Sequence, residues 1–262
     1  MPRLALRPLV LMAILALMAV IVGAQAPAPQ PEDQETAKVV VELLERGHMA
    51  RPAINDEIAV KWCDNFIKDL DPGKYYFLKS DVEAFKKDGK ILDDQIRDGN
   101  IDFARRVFDR YLERQDERFK TSMDLLDQKP DFTVDEYVSD DPDKLDYPPT
   151  LAEANERMRK KIKLDLLFTK VVDDVDNAEA VRKWKIRYRD RNRQAHQVDT
   201  GELMEIYLSS LTKTFDPHTS YLGPKNLEDM LNQQLHLRLE GIGASLRSED
   251  GYAVVTDRKS VV

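Results

Sequence analysis

The sequence predicts a mainly α-helical protein that ends in a β-hairpin. Apolar residues recur at three- and four-residue spacing over most of residues 36–236, which is the period of helices with one buried face. Residues that cap helices precede several of these stripes. After Leu235 the pattern changes to an alternation of apolar and polar residues, which is typical of strands. We therefore expect a helical domain over residues 36–236 and a β-containing segment over residues 237–256.

The first helices are predicted before residue 90. Their apolar positions are Val40, Leu43 and Leu44 in the first stripe and Ile54, Ile58, Trp62, Phe66 and Leu70 in the second. Pro72 and Gly73 end the second helix, because Pro lacks a backbone donor and Gly accepts the left-handed conformation. Ser80 is placed to cap a third helix, and Glu83 completes a capping box with it.

The longest predicted helix begins near Asn100 and stops before Pro130. Its stripe consists of Ile101, Ala104, Phe108, Leu112, Phe119, Met123 and Leu126. A stripe of this kind is typical of a protein core. The next segment, Phe132 to Val138, alternates weakly between apolar and polar residues, so it is either a short strand or an extended arm.

Three further helices are predicted beyond this segment. Thr150 with Glu153, and Asp199 with Glu202, have the spacing of a capping box at two helix starts. Asn177 opens the helix that lies between them.

The hairpin is predicted from residues near the end of the chain. Leu237, Leu239, Tyr252 and Val254 alternate with polar neighbours. The turn is supplied by Glu249-Asp250-Gly251, because an Asp-Gly pair accepts the backbone angles of a tight hairpin turn.

The N-terminal segment has the three parts of a secretory signal. Arg3 and Arg7 form a basic start, an apolar run extends from Leu9 to Val22, and Ala24-Gln25-Ala26 forms the cleavage site. The apolar run is shorter than the roughly 20 residues that span a bilayer. We therefore expect residues 1–26 to be removed on export, with residues 27–35 forming a Pro-rich linker. A retained N-terminal anchor is the alternative.

Charge and cysteine content exclude other classes of protein. The formal net charge is −8 over 262 residues, and it becomes more negative once the two arginines of the signal are removed, which disfavours polyanionic partners. Cys63 is the only cysteine, so no intrachain disulfide can form. It lies between Trp62 and Phe66 on an apolar face, which favours a small buried hydrophobe over a catalytic thiol.

One short segment invites a catalytic interpretation. Residues 216–221, Asp-Pro-His-Thr-Ser-Tyr, contain an Asp, a His and a Ser. Members of a catalytic triad act from separate elements that hold a fixed geometry, so adjacency in sequence is not their signature. We interpret Asp216, Thr219 and Ser220 as turn and capping groups instead.

Two other charged segments have structural explanations. Basic residues stand at alternate positions from Lys183 to Arg193, but alternate residues of a helix lie about 200° apart, so these charges surround the helix instead of forming a nucleic-acid-binding stripe. We expect them to be solvated and paired with carboxylates. Asp173 to Asn177 suggests calcium, but the segment lacks the Gly and closing Glu of an EF-hand loop. A helix end and an N-cap explain it better, and no metal or cofactor is implied.

Several short motifs follow one another in an order that indicates a family. They are Leu70-Asp71-Pro72, Tyr76-Phe77-Leu78, Ser80-Asp81-Val82, the run from Phe215 to Leu222, a Pro-started helix, and Leu239-Glu240-Gly241-Ile242-Gly243-Ala244. In this order they resemble the tail-specific, or carboxy-terminal processing, proteases over roughly Thr36 to Val255. Those proteins run from a helical N-terminal domain into a PDZ domain and then a Ser-Lys protease domain. The resemblance implies that residues 237–256 are the truncated start of a PDZ domain.

The resemblance also assigns a binding role to Gly241, Ile242, Gly243 and Ala244, which look like the carboxylate-binding loop of a PDZ domain. Adjacent backbone N–H groups without bulky side chains between them can converge on the terminal carboxylate of a peptide. The strand that follows would offer its edge to the peptide backbone, and Ile242 would line the pocket for the last side chain. An ordinary bulge or turn is the alternative.

The family resemblance implies that the intact protein is an exported serine endopeptidase of the periplasm or cell envelope. It would recognise unfolded or C-terminally exposed polypeptides and cleave them with a Ser-Lys dyad that lies beyond Val262, so the chain alone is expected to be inactive. A helical-repeat lipoprotein serves related bacterial proteases and is the adaptor to consider. No nucleic acid is expected as a partner, and membrane contact is expected only through the signal segment. The alternative is a non-enzymatic exported scaffold that binds peptides or partners.

The last six residues have a different explanation. Residues 257–262, Asp-Arg-Lys-Ser-Val-Val, are the direct translation of gatcggaagagcgtcgtg, a string found in a widely used sequencing-library adapter. We expect this tail to be an assembly artefact without structural or functional meaning. A natural truncated reading frame is the alternative.

Overall fold

The computed structural model describes residues 26, 31–49, 53–139, 141–232, 244–249 and 252–258. The α-helices are α1 (Pro31–Gly47), α2 (Asp56–Leu70), α3 (Lys79–Asp88), α4 (Leu92–Arg97), α5 (Asp102–Leu126), α6 (Leu151–Val172), α7 (Asn177–Gln197), α8 (Thr200–Thr212) and α9 (Pro224–Met230). Short 3-10 turns cover Gly89–Ile91 and Pro142–Lys144, and the strands are β1 (Ala244–Glu249) and β2 (Tyr252–Arg258). The prediction of a mainly helical chain is confirmed.

The first helix begins earlier than predicted. It starts at Pro31, inside the segment 27–35 that was predicted to be a linker. Pro is favoured at the first helical position, because the N–H that it lacks would have no partner there and its backbone angle already suits a helix. Glu32 and Asp33 in the same turn favour the positive end of the helix dipole.

The end of α2 corrects one prediction about a glycine. The helix ends at Leu70, as the sequence predicts, but the left-handed residue in the following turn is Lys74, with φ of 54°. Gly73 was predicted to take that conformation. The Lys74 backbone N–H donates to the Asp71 carbonyl at 3.1 Å, so the turn reverses at Lys74 and sends the next residues back towards Asp71.

The start of α3 corrects a second prediction. The cap is not the Ser80–Glu83 box, because the helix already begins at Lys79. Instead the Asp81 carboxylate accepts the Leu78 backbone N–H at 3.0 Å. Arg114 of α5 donates to the same carboxylate at 2.8 and 3.0 Å, so the cap also joins α3 to α5.

The starts of the later helices agree with their capping residues. Thr150 accepts the Glu153 N–H at 3.2 Å before α6. Asp199 and Glu202 form a complete capping box before α8. The residue that caps α7 is Asp176, which accepts the Glu179 N–H at 2.8 Å. These helices therefore begin where local side chains satisfy the first free N–H groups.

The larger of two hydrophobic cores lies mainly among α1 to α5 and α8. Its centre is aromatic: the ring centroids of Trp62 and Tyr207 are 4.4 Å apart, and those of Phe66 and Tyr207 are 5.0 Å apart. The Trp62 indole donates to the Tyr207 carbonyl at 2.9 Å. Each such fully buried side chain contributes about 1.5–3 kcal/mol, so these aromatic residues fix α2 against α8.

The smaller core lies among the end of α5, α6 and α7. Its buried residues are Leu126, Met158, Ile162, Leu166, Ala180 and Tyr188. Helix α5 contributes to both cores, through Phe103 and Leu112 at one end and Leu126 at the other. The long helix therefore joins the two cores.

The segment between α5 and α6 is an extended arm. Residues 135–139 belong to no helix and pair with no strand in the part of the chain that the structure describes. Along them the side chains of Glu136 and Val138 are half-buried, whereas those of Asp135, Tyr137 and Ser139 are exposed. The first part of the predicted segment, residues 132–134, forms a turn. For residues 135–138 the structure favours the arm over a paired strand.

The two strands near the C-terminal end form an antiparallel pair. Glu249 lies opposite Tyr252, and the register shifts between Ser245 and Leu246. The pairing reaches Ala244 with Arg258, so the backbone of two of the six residues attributed to an adapter is included in β2.

The predicted signal segment lies outside the described residues apart from its last residue. Ala26 is buried against the larger core, and its backbone N–H donates to the Asp109 carboxylate. Cleavage after Ala26 would remove this contact. Among the helices that the structure describes, none has the length and hydropathy needed to cross a bilayer.

Candidate functional site

The loop after α8 is organised by one carboxylate, that of Asp216. One of its oxygens accepts the backbone N–H groups of His218 and Thr219 at 2.7 and 2.9 Å. The other accepts the Thr219 hydroxyl at 2.6 Å and shares a hydrogen bond of 2.7 Å with Nε2 of His48. These donors hold the pKa of Asp216 well below its usual range. The loop is thereby fixed both to itself and to the end of α1.

This geometry supports the turn interpretation and opposes a catalytic triad. The histidine that meets Asp216 is His48, whereas His218 contributes its backbone N–H. The hydroxyl at the site belongs to Thr219; it donates to the carboxylate at 2.6 Å and also lies 3.3 Å from Nε2 of His48. In a triad one ring nitrogen of the histidine meets the hydroxyl and the other meets the carboxylate. Here the same nitrogen of His48 lies near both groups, so the arrangement is not that of a triad.

His48 also packs against an aromatic ring of the same loop. Its ring centroid lies 5.7 Å from that of Phe215. Sequence reasoning missed His48, because it is 168 residues from Asp216 along the chain and follows the end of a helix with no local motif. Only the packing of α1 against α8 brings the two residues together.

A second loop, after α2, is organised by Asp71. Its carboxylate accepts three backbone N–H groups, those of Tyr75, Tyr76 and Phe77, at 2.9, 2.9 and 3.0 Å. Asp71 is buried, and burial raises the pKa of its carboxyl although the three donors and the Arg157 charge act in the opposite direction. The loop is therefore closed on an internal acceptor.

Arg157 of α6 ties this second loop to the residues just before α6. Its guanidinium donates to the Lys74 carbonyl and to the Asp146 carbonyl, each at 2.9 Å. The Lys74 amine donates in turn to the Leu145 carbonyl. Arg157 was not singled out from the sequence, because carbonyl acceptors leave no trace in residue type.

Most of the residues predicted to bind a peptide carboxylate lie outside the described residues. Gly241, Ile242 and Gly243 lie outside the described residues. Ala244 is the first residue of β1. Their role as a carboxylate-binding loop therefore stays a prediction.

Cys63 has the surroundings of a structural residue. It is buried in the larger core, and its Sγ lies 3.6 Å from the Phe85 carbonyl. Burial raises the pKa of the thiol to about 12, which keeps it protonated at neutral pH. A thiol in that state is a poor nucleophile.

The charged segments have the structural roles expected of them. On α7 the predicted pairing with carboxylates holds for Lys183, Lys185 and Arg193, which pair with Asp173, Asp127 and Asp190. Arg187 and Arg191 instead lie over the rings of Trp184 and Tyr188. Asp176 caps α7, which supports the helix-end interpretation of that acidic run. The described ranges contain no group of three His, Cys, Asp or Glu side chains that could hold a metal ion.

Comparison with known proteins places this fold and its two loops in a family. Residues 40–225 match the family model described as the tail-specific protease N-terminal domain. The chain is also 32% identical over 225 residues to the tail-specific protease of Haemophilus influenzae. That match covers 86% of this chain and 32% of the relative.

The chain therefore belongs to the tail-specific protease family, and the resemblance seen in the sequence is confirmed. The family match includes both Asp-centred loops, at Asp71 and Asp216, and it ends within α9. The chain spans about a third of the length of the relative that it matches.

Proposed function

We propose that the chain is the N-terminal helical part of an exported serine endopeptidase that processes or degrades proteins from their C-terminal tails. The observation that carries the proposal is the match of residues 40–225 to the N-terminal domain of tail-specific proteases. The signal-like residues 1–26 support export. The residues from 237 onwards would open a PDZ domain, in which Gly241 to Ala244 bind the substrate carboxylate.

In this proposal the chain holds the PDZ domain in position and does not supply the residues that cleave the substrate. Of the nucleophile candidates near the two loops and in the core, the Thr219 hydroxyl donates to Asp216 and burial keeps the Cys63 thiol protonated. The nucleophile and its Lys base would lie in a protease domain encoded beyond this chain. The α8–α9 loop would carry the connection from the rigid core to the PDZ domain.

The test is a comparison of this chain with a longer version read from the same locus past Thr256. The purified chain should leave an unfolded protein substrate intact, and the longer version should cleave it. Loss of that cleavage on replacing a Ser in the added sequence, with binding retained, would identify the nucleophile. Cleavage by the short chain that is abolished by Ser220→Ala or His218→Ala would contradict the proposal.

A free-standing exported scaffold is the second candidate, and it is favoured by the bonding of Thr219 to Asp216 and by the protonated state of Cys63. The same locus decides between the two. A frame that ends after Val262 would favour the scaffold, and a frame that continues into a PDZ and a Ser-Lys domain would favour the protease.

A further inference from the structure

The arm between α5 and α6 has open space on both sides. A cavity of about 290 Å³ lies between Tyr137 to Ser139 and the beginning of α6, with Tyr75 on its wall. A second cavity of about 330 Å³ lies between the arm and the middle of α6, where Leu164 and Leu167 line it. Lys160 lines both cavities. The arm and α6 therefore border two neighbouring cavities with Tyr137, Val138 and Lys160 in both linings, and together these cavities are called the groove.

The backbone of the arm is free to pair. No backbone N–H or C=O from Asp135 to Val138 is hydrogen-bonded within the part of the chain that the structure describes. Only the preceding carbonyl, that of Val134, is engaged, by the Lys163 amine at 2.8 Å. An extended segment with free donors and acceptors is the template to which another extended chain adds as a strand.

The arm is nevertheless held in place by one side chain, Glu136. Its carboxylate accepts Lys163 at 2.6 Å and is also paired with Arg159. These two cations lower the pKa of Glu136 to about 2. Since α6 supplies both cations, the unpaired edge of the arm is fixed in direction relative to the helix. Pairing with a partner strand would therefore cost little conformational entropy in the arm.

Part of the groove lining from α6 is apolar, since Leu164 and Leu167 lie in it beside Lys160 and Lys163. Leu164, Leu167 and Phe168 form an exposed stripe on α6, with Phe168 65% exposed. Tyr137 on the arm is 90% exposed. Apolar side chains at alternate positions of an extended chain would cover this stripe while its backbone pairs with the arm.

One cation of the groove remains available. Three cations of α6, Arg159, Lys160 and Lys163, face the carboxylates of Glu136 and Glu156. The hydrogen bond from Arg159 is the main cause that lowers the pKa of Glu156, and the Lys160 charge adds to it. Lys160 has no hydrogen bond or ion pair within the described ranges, whereas Arg159 and Lys163 are both bonded. A carboxylate on the occupant would complete the charge balance.

We propose that the arm and α6 form a docking groove for an extended polypeptide, which adds a strand to residues 135–138, covers Leu164 and Leu167 with apolar side chains and places a carboxylate on Lys160. This inference rests on the proposed function, because the substrates of a protease that acts on unfolded tails would be extended polypeptides. A second copy of this chain could cover the apolar stripe with its own, but it would leave the backbone of the arm unpaired.

The test is fluorescence anisotropy on the purified chain with a short fluorescein-labelled peptide of alternating Val and Ser that contains one Glu. We expect saturable binding. A peptide N-methylated at alternate positions should bind about tenfold more weakly or worse, because it lacks the backbone donors for the arm. Lys160→Glu should weaken binding by about tenfold through charge reversal. Lys87→Glu, an exposed lysine of α3, is the matched control and should bind normally.

Three results would overturn the groove. They are equal binding of the N-methylated and unmodified peptides, equal binding by Lys160→Glu and the unchanged chain, and a dimer in sedimentation whose formation abolishes peptide binding. The N-methylated peptide needs no protein variant, so misfolding cannot obscure the result. Peptidase activity of the longer version is a separate readout. A longer version that cleaves substrate without binding peptide at the groove would reject the groove alone. A longer version that binds peptide at the groove but cleaves no substrate would reject the protease.

Discussion

Two loops of this protein begin with the same Asp-Pro pair and use the Asp in opposite ways. Asp71 turns inward and satisfies three backbone N–H groups of its own loop. Asp216 satisfies two N–H groups of its loop and then reaches outward to His48 at the end of α1. The first is buried and the second is half-exposed. The Asp-Pro pair marks where the chain turns after a helix. Burial of the Asp carboxylate decides whether it closes its own loop or joins two elements.

The difference has a consequence for the stability of each region. The Asp71 loop lies between α2 and α3 and is tied to α6 by Arg157. The Asp216 loop lies between α8 and α9, at the end of the region that matches the family model. We therefore expect the first loop to unfold only with the domain and the second to open locally.

The largest effect is expected for Asp71→Ala. The change leaves one buried and two part-buried N–H groups without an acceptor and should reduce the free energy of unfolding by about 3–5 kcal/mol. Urea denaturation followed by circular dichroism measures it. Asp71→Asn is the control of similar size, and because one acceptor oxygen remains, its loss should be clearly smaller. A loss below about 1 kcal/mol for Asp71→Ala would mean that the three hydrogen bonds do not hold the loop.

An intermediate effect is expected for Arg157→Met, which keeps the aliphatic stem and removes the guanidinium. Two carbonyl acceptors, of Lys74 and Asp146, lose a charged donor, so we expect a loss of about 1–2 kcal/mol in the same urea experiment. Arg193→Met is the matched control, because Arg193 pairs only with Asp190 on its own helix among the described residues. A loss no larger than that of the control would contradict the role of Arg157 in joining the Asp71 loop to the residues just before α6.

A smaller effect on global stability is expected for Asp216→Ala. The partners of Asp216 are near solvent, so water can replace the lost hydrogen bonds. The midpoint of urea denaturation should shift less than for Asp71→Ala. Limited proteolysis should instead become faster near residues 216–222, with His48→Phe giving the same new cleavage. Unchanged proteolysis in both variants would argue against a joining role for the His48–Asp216 pair.

The two carboxylates should also give opposite pH dependences. The pKa of Asp216 is lowered on folding, so its stabilising contribution is full above its ordinary pKa of about 3.9 and is lost as the pH falls through the lower folded value. The pKa of Asp71 is raised on folding, so its contribution is full below about 3.9 and declines as the pH rises through the higher folded value.

Urea denaturation from about pH 3 to 7 separates the two cases. The stability difference between the unchanged chain and Asp216→Asn should grow as the pH rises. The difference between the unchanged chain and Asp71→Asn should shrink over the same range. If both stability differences changed with pH in the same direction, the account would be contradicted, because it has burial dominate the pKa of Asp71 and hydrogen bonds dominate that of Asp216.

Much of the fold could be predicted because its signals are local. Thr150 and Asp199 cap helices from within one turn, and the stripe on α5 identifies its buried face. The exceptions arise where a distant contact decides the conformation. Lys74 takes the left-handed angle in place of Gly73, because the loop must return three N–H groups to Asp71.

The candidate sites were less predictable for the same reason. His48 and Asp216 are joined only by the packing of α1 near the end of α8, and Arg157 binds carbonyl groups that any residue could supply. The weak alternation of Phe132 to Val138 indicated an extended segment. It could not indicate that its backbone edge would stay unpaired, since that depends on how the arm lies on α6.

Hydrogen exchange of the native chain tests the comparison of the two loops most directly. We expect the amides of Tyr75, Tyr76 and Phe77 to exchange only on global unfolding, with a denaturant dependence equal to that of the core. The amides of His218 and Thr219 should exchange faster, through a local opening that is nearly independent of denaturant. Equal protection of both loops, or faster exchange at Tyr75 to Phe77, would contradict the account.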